Sequence, residues 1–213
     1  MTDITIIGTG NMARGIATRA VAGGKSVQLL AHDDSAKAEA LAAELDGDIT
    51  TGALGDEIVG GIVIPAVHFE ASQAVLARYG EALEGKVYVD ITNPIDSTFE
   101  GLAVPAGSSA AEELQKVTGA KLVKAFNTNF AGTLRAGEIA GQPLDVLIAG
   151  DDDGAVQAVA GLAKAGGLNA IIVGPLRRAR QLEQLGFLHI LLSANEALPK
   201  FQWNSGVRFV PGS

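Results

Sequence analysis

At 213 residues the chain has room for one well-buried domain, with at most a small appendage. Apolar residues make up 47% and aromatics only 5%, so the core must be built from Ala, Val, Ile and Leu, which suits helices packed on a parallel sheet. The 24 acidic residues against 16 basic ones give a net charge of −8, a surface that repels nucleic acid and anionic lipid. The absence of cysteine excludes disulfides, thiolate catalysis and cysteine-based metal or iron–sulfur sites. No basic leader precedes Asp3, and the longest apolar runs, 58–67 and 186–194, are shorter than the roughly eighteen residues of a membrane span. A soluble, cytoplasmic protein with a small-molecule partner is expected.

Residues 4–7 (ITII) have the length and β-branching of a buried strand. They run into Gly8-Thr9-Gly10-Asn11-Met12-Ala13, of the form G-x-G-x-x-A, and then into a helical pattern through Ile16, Ala20 and Val21 that Gly23-Gly24 stops. Strand, glycine turn and helix together form the context of a dinucleotide-binding fingerprint. Gly8 would allow the tight turn, Gly10 a close backbone approach to a pyrophosphate, and Ala13 close helix packing. Residues 27–30 read as a second strand, 35–45 as an alanine-rich helix, and the segment around 48–50 as a third strand. Residues 58–64 (IVGGIVI) look strand-like up to Pro65, 69–79 helical, and 86–91 a buried strand ending at Thr92-Asn93-Pro94.

The middle is less regular. Residues 96–106 form a loop, and Ser108 or Ser109 opens a helix, with Glu112 completing a capping box with Ser109. Strands are expected at 122–126, 144–149 and 170–173, with a helix between the last two opened by Asp151-Asp152-Asp153. A long helix from Leu176 towards Leu198 precedes a tail containing Trp203. The alternation, without β-hairpin signals, predicts an α/β protein: a doubly wound, mainly parallel sheet with helices on both faces. Residues 1–213 are expected to form a single domain, the part from about 175 being a helical extension that packs on it or on a partner subunit.

The segments GTGNMARG (8–15), DITNP (90–94), SSAAEEL (108–114), VKAFNT (123–128), AGDDD (149–153) and GPLRRARQLE (174–183) follow one another in a familiar order. With them the chain resembles the deazaflavin (coenzyme F420)-dependent NADP oxidoreductases and the small bacterial dinucleotide-binding proteins related to them. It is similar as well to the cytosolic domain of six-transmembrane metalloreductases, through KAFNT and AR-x-x-E. The resemblance implies a Rossmann domain with NADP(H) across the carboxyl ends of its strands. It would set Gly8, Thr9, Gly10, Asn11 and Met12 at the pyrophosphate, Ile64, Pro65 and Ala66 beside the adenosine or ribose, and Asn93, Pro94, Phe126 and Asn127 around the nicotinamide.

One place departs from the pattern. Family members carry Ser-Arg after the second strand to hold the 2′-phosphate, and here Ala31 and His32 stand there. Imidazole offers fewer donors than guanidinium and no permanent charge. Asp33 lies where an acid would bond the ribose hydroxyls of NAD, while Lys37 is available to a phosphate. NADP is expected over NAD, with an affinity that falls as imidazole loses its proton at higher pH.

Hydride exchange between nicotinamide and a deazaflavin or flavin requires mainly that two rings be held face to face. Reduction of a small carbonyl or imine would favour a proton donor, for which His68 is the candidate, helix-start packing being its plainer role. His189 is expected in the core or at an interface and Tyr88 in the core; Lys124, just before Ala125-Phe126-Asn127, is in range of the site but is expected to face outward from its strand. Arg177, Arg178 and Arg180 would either hold an anionic group or form a solvated face, with Arg180 paired to Glu183 or a neighbour. The acids at 151–153 are read as helix caps, and no metal centre is expected. The readings are thus an oxidoreductase with a deazaflavin or flavin acceptor, a carbonyl or imine reductase, and a dinucleotide sensor. The apolar stretch 187–192 would serve as core or as a homodimer surface.

Overall fold

Short runs of β-branched and leucine residues make strands that can be buried on both faces, and alanine-rich segments make helices slim enough to cover them. A computed structural model describes residues 2–32, 34–210 and 212 and arranges these segments around one eight-stranded sheet. The elements are β1 (Ile4–Ile7), α1 (Asn11–Ala22), β2 (Val27–Ala31), α2 (Ser35–Ala43), β3 (Ile49–Ala53), β4 (Ile62–Pro65), α3 (Phe69–Tyr79) and β5 (Val87–Asp90). They continue with α4 (Ala110–Gln115), β6 (Lys121–Lys124), α5 (Ala131–Ala136), the two-residue strands β7 (Glu138–Ile139) and β8 (Gln142–Pro143), β9 (Asp145–Gly150), α6 (Asp153–Ala165), β10 (Asn169–Gly174) and α7 (Ala179–Ala194).

The sheet order is β10-β9-β6-β5-β4-β1-β2-β3. From β3 to β6 every pairing is parallel, in the doubly wound order of a Rossmann half-pair. Alternate strand residues feed two cores. Ile6, Leu29, Ile64, Val89 and Val123 meet α1, α2, α5 and α6 on one face. Ile7, Leu30, Val63, Tyr88 and Leu122 meet α3, α4 and the start of α7 on the other. Ala13 is fully buried on the inner side of α1, and Gly15 lets α5 approach: a Cβ there would stand 3.1 Å from the Ala131 carbonyl oxygen.

Four expectations change. Of the run 58–64 only the last three residues are strand, in β4 (Ile62–Pro65), the Gly60 amide ahead of it being turned to Thr5 Oγ1 and the Gly61 amide to the Asp3 carbonyl. β6 ends at Lys124, since Phe126 turns with φ 61°. The last helix stops at Ala194, where Asn195 leaves helical geometry and its Oδ1 accepts the Ala197 amide. A hairpin was not expected, yet β7 and β8 form one around Ala140 and Gly141, both with positive φ as its tight turn requires. Beyond it β9 runs antiparallel to β6, and β10 returns parallel to β9.

Candidate functional site

The order of the strands reverses between β1 and β4, and a cleft of about 890 Å³ opens there at their carboxyl ends. The turn from Gly8 to Met12 forms one wall. Gly8 has φ +109°, and a Cβ on it would meet the Ala66 carbonyl oxygen at 2.9 Å, so the fold itself requires glycine. Gly10 is different. Its φ of −75° and ψ of −173° suit any residue, and a Cβ there would meet no protein atom within 4 Å. The added methyl would project into open space at the cleft mouth. No acid lies in the first turn of α1 and no side chain caps it, so the positive end of the helix dipole is left for an anion.

Across the cleft stand the tips of β5 and β6. Asn93 Nδ2 donates to the Asn127 carbonyl at 2.7 Å, and Asn127 Nδ2 donates to Asn93 Oδ1 at 2.9 Å and to the Leu182 carbonyl at 2.9 Å. Helix α7 presses on this pair through Gly186, where a Cβ would lie 2.5 Å from Asn93 Oδ1 and 3.0 Å from the Asn127 carbonyl oxygen. Gly186→Ala is expected to part the pair, costing about 1–3 kcal/mol of stability and lowering turnover more than it weakens cofactor binding. Steady-state kinetics beside a denaturation curve check this, and an unchanged turnover would refute it. Phe126 holds a left-handed backbone between these groups, the kind of local strain that clusters at functional sites.

The far end of the cleft is apolar, lined by Ile91, Ile95, Phe99, Phe130, Ile190 and Trp203. His189 stacks on Phe130 with centroids 4.0 Å apart, and Trp203 meets Phe130 edge-on at 5.2 Å. The ring nitrogens of His189 lie 3.2 Å from the Thr128 carbonyl oxygen and 2.8 Å from Ser205 Oγ, which ties the tail to α7. Burial depresses the His189 pKa against the pull of the Thr128 carbonyl, so this imidazole is a structural strut, as expected of a core residue.

Behind the cleft wall lies a group of charges. Lys124, expected to face outward, is fully buried, because its ammonium is claimed from three sides: Asp90 Oδ2 at 2.7 Å, Glu183 Oε1 at 2.8 Å and the Thr92 carbonyl at 2.6 Å. Glu183 also accepts the first amides of α4, from Ala110 at 3.0 Å and Ala111 at 3.4 Å. Arg180 turns instead to Glu112, with Nε and Nη2 at 2.8 and 2.6 Å from its carboxylate oxygens, and holds that carboxyl below its usual range. Ser109 Oγ accepts the Glu112 amide at 3.2 Å and caps α4, but the Glu112 carboxylate is drawn to Arg180 and Ser109 Oγ rather than closing the full box.

Burial pushes the Glu183 carboxyl up, Asp90 adds to this, and Lys124 opposes it. The folded state therefore holds this proton to a higher pH than the unfolded chain does. Its contribution to stability is complete below the unfolded carboxylate range and is lost as pH rises through the folded value. Glu183→Gln is expected to flatten the fall in stability between about pH 5 and about pH 8. Urea midpoints at the two pH values test this; an unaltered difference would count against it.

Of the residues singled out from the sequence, the cleft gathers Gly8, Thr9, Gly10, Asn11, Met12, His32, Ala66, His68, Asn93, Phe126 and Asn127. Ile64 lies in the core, Pro65 and Pro94 are buried, and Lys37 stands exposed on α2; none of the four lines the cleft. Asp33 falls outside the described residues. Of the acids at 151–153, read as helix caps, Asp152 caps α6 by accepting the Ala155 amide at 2.8 Å, Asp153 lies in its first turn, and Asp151 instead accepts the Leu176 amide at 2.9 Å. Sequence reasoning missed Thr92 and Asn129, which follow β5 and β6, and the apolar end, whose residues come from separate loops, α7 and the tail.

A dinucleotide suits this arrangement on two observations. One is the open glycine turn, where Gly10 leaves the uncapped start of α1 accessible from the cleft. The other is a set of buried oxygens without partners, Thr92 Oγ1, Asn127 Oδ1 and Asn129 Oδ1, in residues of the opposite wall. Both amide hydrogens of Asn127 are already used, which fixes its Oδ1 as an acceptor for a donor such as a carboxamide.

Residues 3–94 match the family model described as coenzyme F420-dependent NADP oxidoreductase. The F420-dependent NADP reductase of Methanothermobacter marburgensis is 33% identical over 94% of this chain and 94% of its own length. Metalloreductase STEAP3 of Rattus norvegicus is 30% identical over 85% of this chain but only 36% of its own. The crystal structure of an Arthrobacter sp. FB24 protein provisionally assigned as an F420-dependent NADP reductase superposes with a TM-score of 0.76 at 28% identity, over 90% of this chain and 93% of that one. With a glycine turn, a switch-point cleft and a relative 33% identical over 94% of both chains, the chain belongs to the coenzyme F420-dependent NADP oxidoreductase family.

Proposed function

We propose that this protein passes hydride between NADP(H) and a deazaflavin of the coenzyme F420 type. The observation that carries the reading is the two-part cleft: a glycine turn with an uncapped helix start at one end, and a broad apolar end walled by Phe99, Phe130 and Trp203 at the other. When bound, the nicotinamide gives or takes the hydride and the deazaflavin is its exchange partner. The chain's own work is binding and orientation. Amides of the Gly8–Met12 turn and the dipole of α1 hold the diphosphate, with Thr9, Asn11 and Met12 beside it. The Asn93–Asn127 pair, with Phe126 and Pro94 behind it, fixes the plane of the nicotinamide. The apolar residues exclude water and present a flat face to a second ring. Ala66 shapes the adenosine side, set there by Ile64 and Pro65 buried beneath it at the end of β4.

His32 on the cleft rim and Lys37 on α2 are the groups assigned to a 2′-phosphate, which makes NADP the preferred cofactor over NAD. Residues 1–213 act as one NAD(P)-binding unit in the cytoplasm, with α7 available for a homodimer contact. Stopped-flow oxidation of bound NADPH by deazaflavin, flavin and ferric acceptors tests the reading. Rapid turnover with deazaflavin alone is the expected result, and oxidation by none of the three would overturn it in favour of a dinucleotide sensor.

A second reading, reduction of a small carbonyl or imine, draws on His68, which is exposed on the cleft at the start of α3 and makes no capping bond there. His68→Ala separates the two. Deazaflavin exchange should stay within about twofold of the unsubstituted rate, whereas a proton donor's loss would cost about a hundredfold or more.

A further inference from the structure

The buried charges behind the cleft exceed what fixing the strand tips requires. Two carboxylates share one ammonium, all three side chains without solvent exposure. With a proton on Glu183 the group is neutral; without it the group holds one net negative charge. The group also sits directly behind the wall assigned to the nicotinamide. The Lys124 ammonium bonds the carbonyl of Thr92, a cleft residue, and the carbonyl of Leu182, next to Glu183, holds the Asn127 amide.

We propose that the Asp90–Lys124–Glu183 cluster is a proton-linked charge that sets the preference of the cleft for oxidised over reduced nicotinamide. The inference rests on the reading that this cleft binds NADP(H). The oxidised ring is a cation and the reduced ring is neutral, while the rest of the molecule is the same in both. A negative charge behind the wall, out of reach of screening ions, therefore favours the oxidised form. By linkage, the cationic ring in turn favours release of the Glu183 proton. Burial holds that proton into a higher pH range than an exposed carboxyl would, which brings the exchange towards neutral conditions.

The other groups around Glu183 are fixed or silent. From β5 comes Asp90, with Tyr88 kept neutral by burial; from β6 comes Lys124. From α4 come the Ala110 and Ala111 amides and Glu112, the last neutralised by Arg180 of α7 itself. His68 and His32 lie on the cleft side.

Calorimetric titration of the intact protein with NADP⁺, NADPH and 2′-phospho-ADP-ribose, from about pH 5.5 to about pH 8.5, tests the proposal. The ratio of the NADPH to the NADP⁺ dissociation constant is expected to rise about tenfold across this range, for a unit charge acting through a protein interior. That corresponds to roughly 30 mV in the potential of the bound couple. Titration in two buffers of different ionisation heat should show NADP⁺ releasing more protons than NADPH. Glu183→Gln should abolish the rise, and His68→Ala should keep it.

A flat ratio in the unsubstituted protein, a rise that persists in folded Glu183→Gln, or a rise lost in His68→Ala would each overturn the proposal. If Glu183→Gln does not fold, the proton count on the unsubstituted protein decides, and equal release with both cofactors is the refuting result. Failure of all three ligands to bind would instead refute the cofactor reading itself.

Discussion

Gly10→Ala is expected to weaken NADP(H) binding by about a hundredfold while leaving the melting temperature nearly unchanged. The backbone at Gly10 is one that alanine adopts freely, and the new methyl would touch nothing in the protein. The whole cost therefore falls on the ligand, whose diphosphate must come within hydrogen-bond distance of the turn. Displacing it by even a fraction of an ångström forfeits several charge-assisted bonds at once. Gly8→Ala is the control. There φ is +109° and the Cβ would strike the Ala66 carbonyl, so the fold should lose about 1–3 kcal/mol before binding is considered. Calorimetry and thermal melts on both variants make the comparison. Normal affinity in Gly10→Ala would remove the cofactor from this turn.

Lys124→Met carries the largest expected loss of stability, about 3–5 kcal/mol near neutral pH. The substitution keeps the shape of the chain but leaves Asp90 and Glu183 facing each other, and the Thr92 carbonyl without its donor, in a place closed to water. The loss should be smaller near pH 5, where one carboxyl can take up a proton. Adding Asp90→Asn and Glu183→Gln should recover much of it, because a buried ion cluster replaced by neutral groups is often no less stable. Urea denaturation of the single and triple variants is the measurement. A loss below about 1 kcal/mol for the single change would mean that the ammonium is not confined as described.

The parallel half of the fold was legible because each of its elements announces itself locally. The run at 4–7, the glycine turn and the stripe of α1 need no distant partner to be recognised, and the structure keeps them within a residue of expectation. β9 was legible as a strand but not in its direction, which depends on a hairpin whose Ala140-Gly141 turn has no strong sequence signal. Lys124 was misjudged for a related reason. Alternation along a strand says which face a side chain leaves from, but not whether carboxylates from β5 and α7 will meet it there.

Sequence by itself determined that a nucleotide-type turn follows the first strand, that the core is aliphatic, and that the familiar segments run in family order. Tertiary structure alone decided which of those segments share a cleft, that the tail delivers Trp203 to it, and that α7 closes on Asn93 through Gly186. The division has a physical cause. Propensity and turn chemistry act over a few residues, whereas Gly186 and Asn93, or Glu183 and Lys124, lie far apart in the chain and meet only after the sheet has brought its strand ends together.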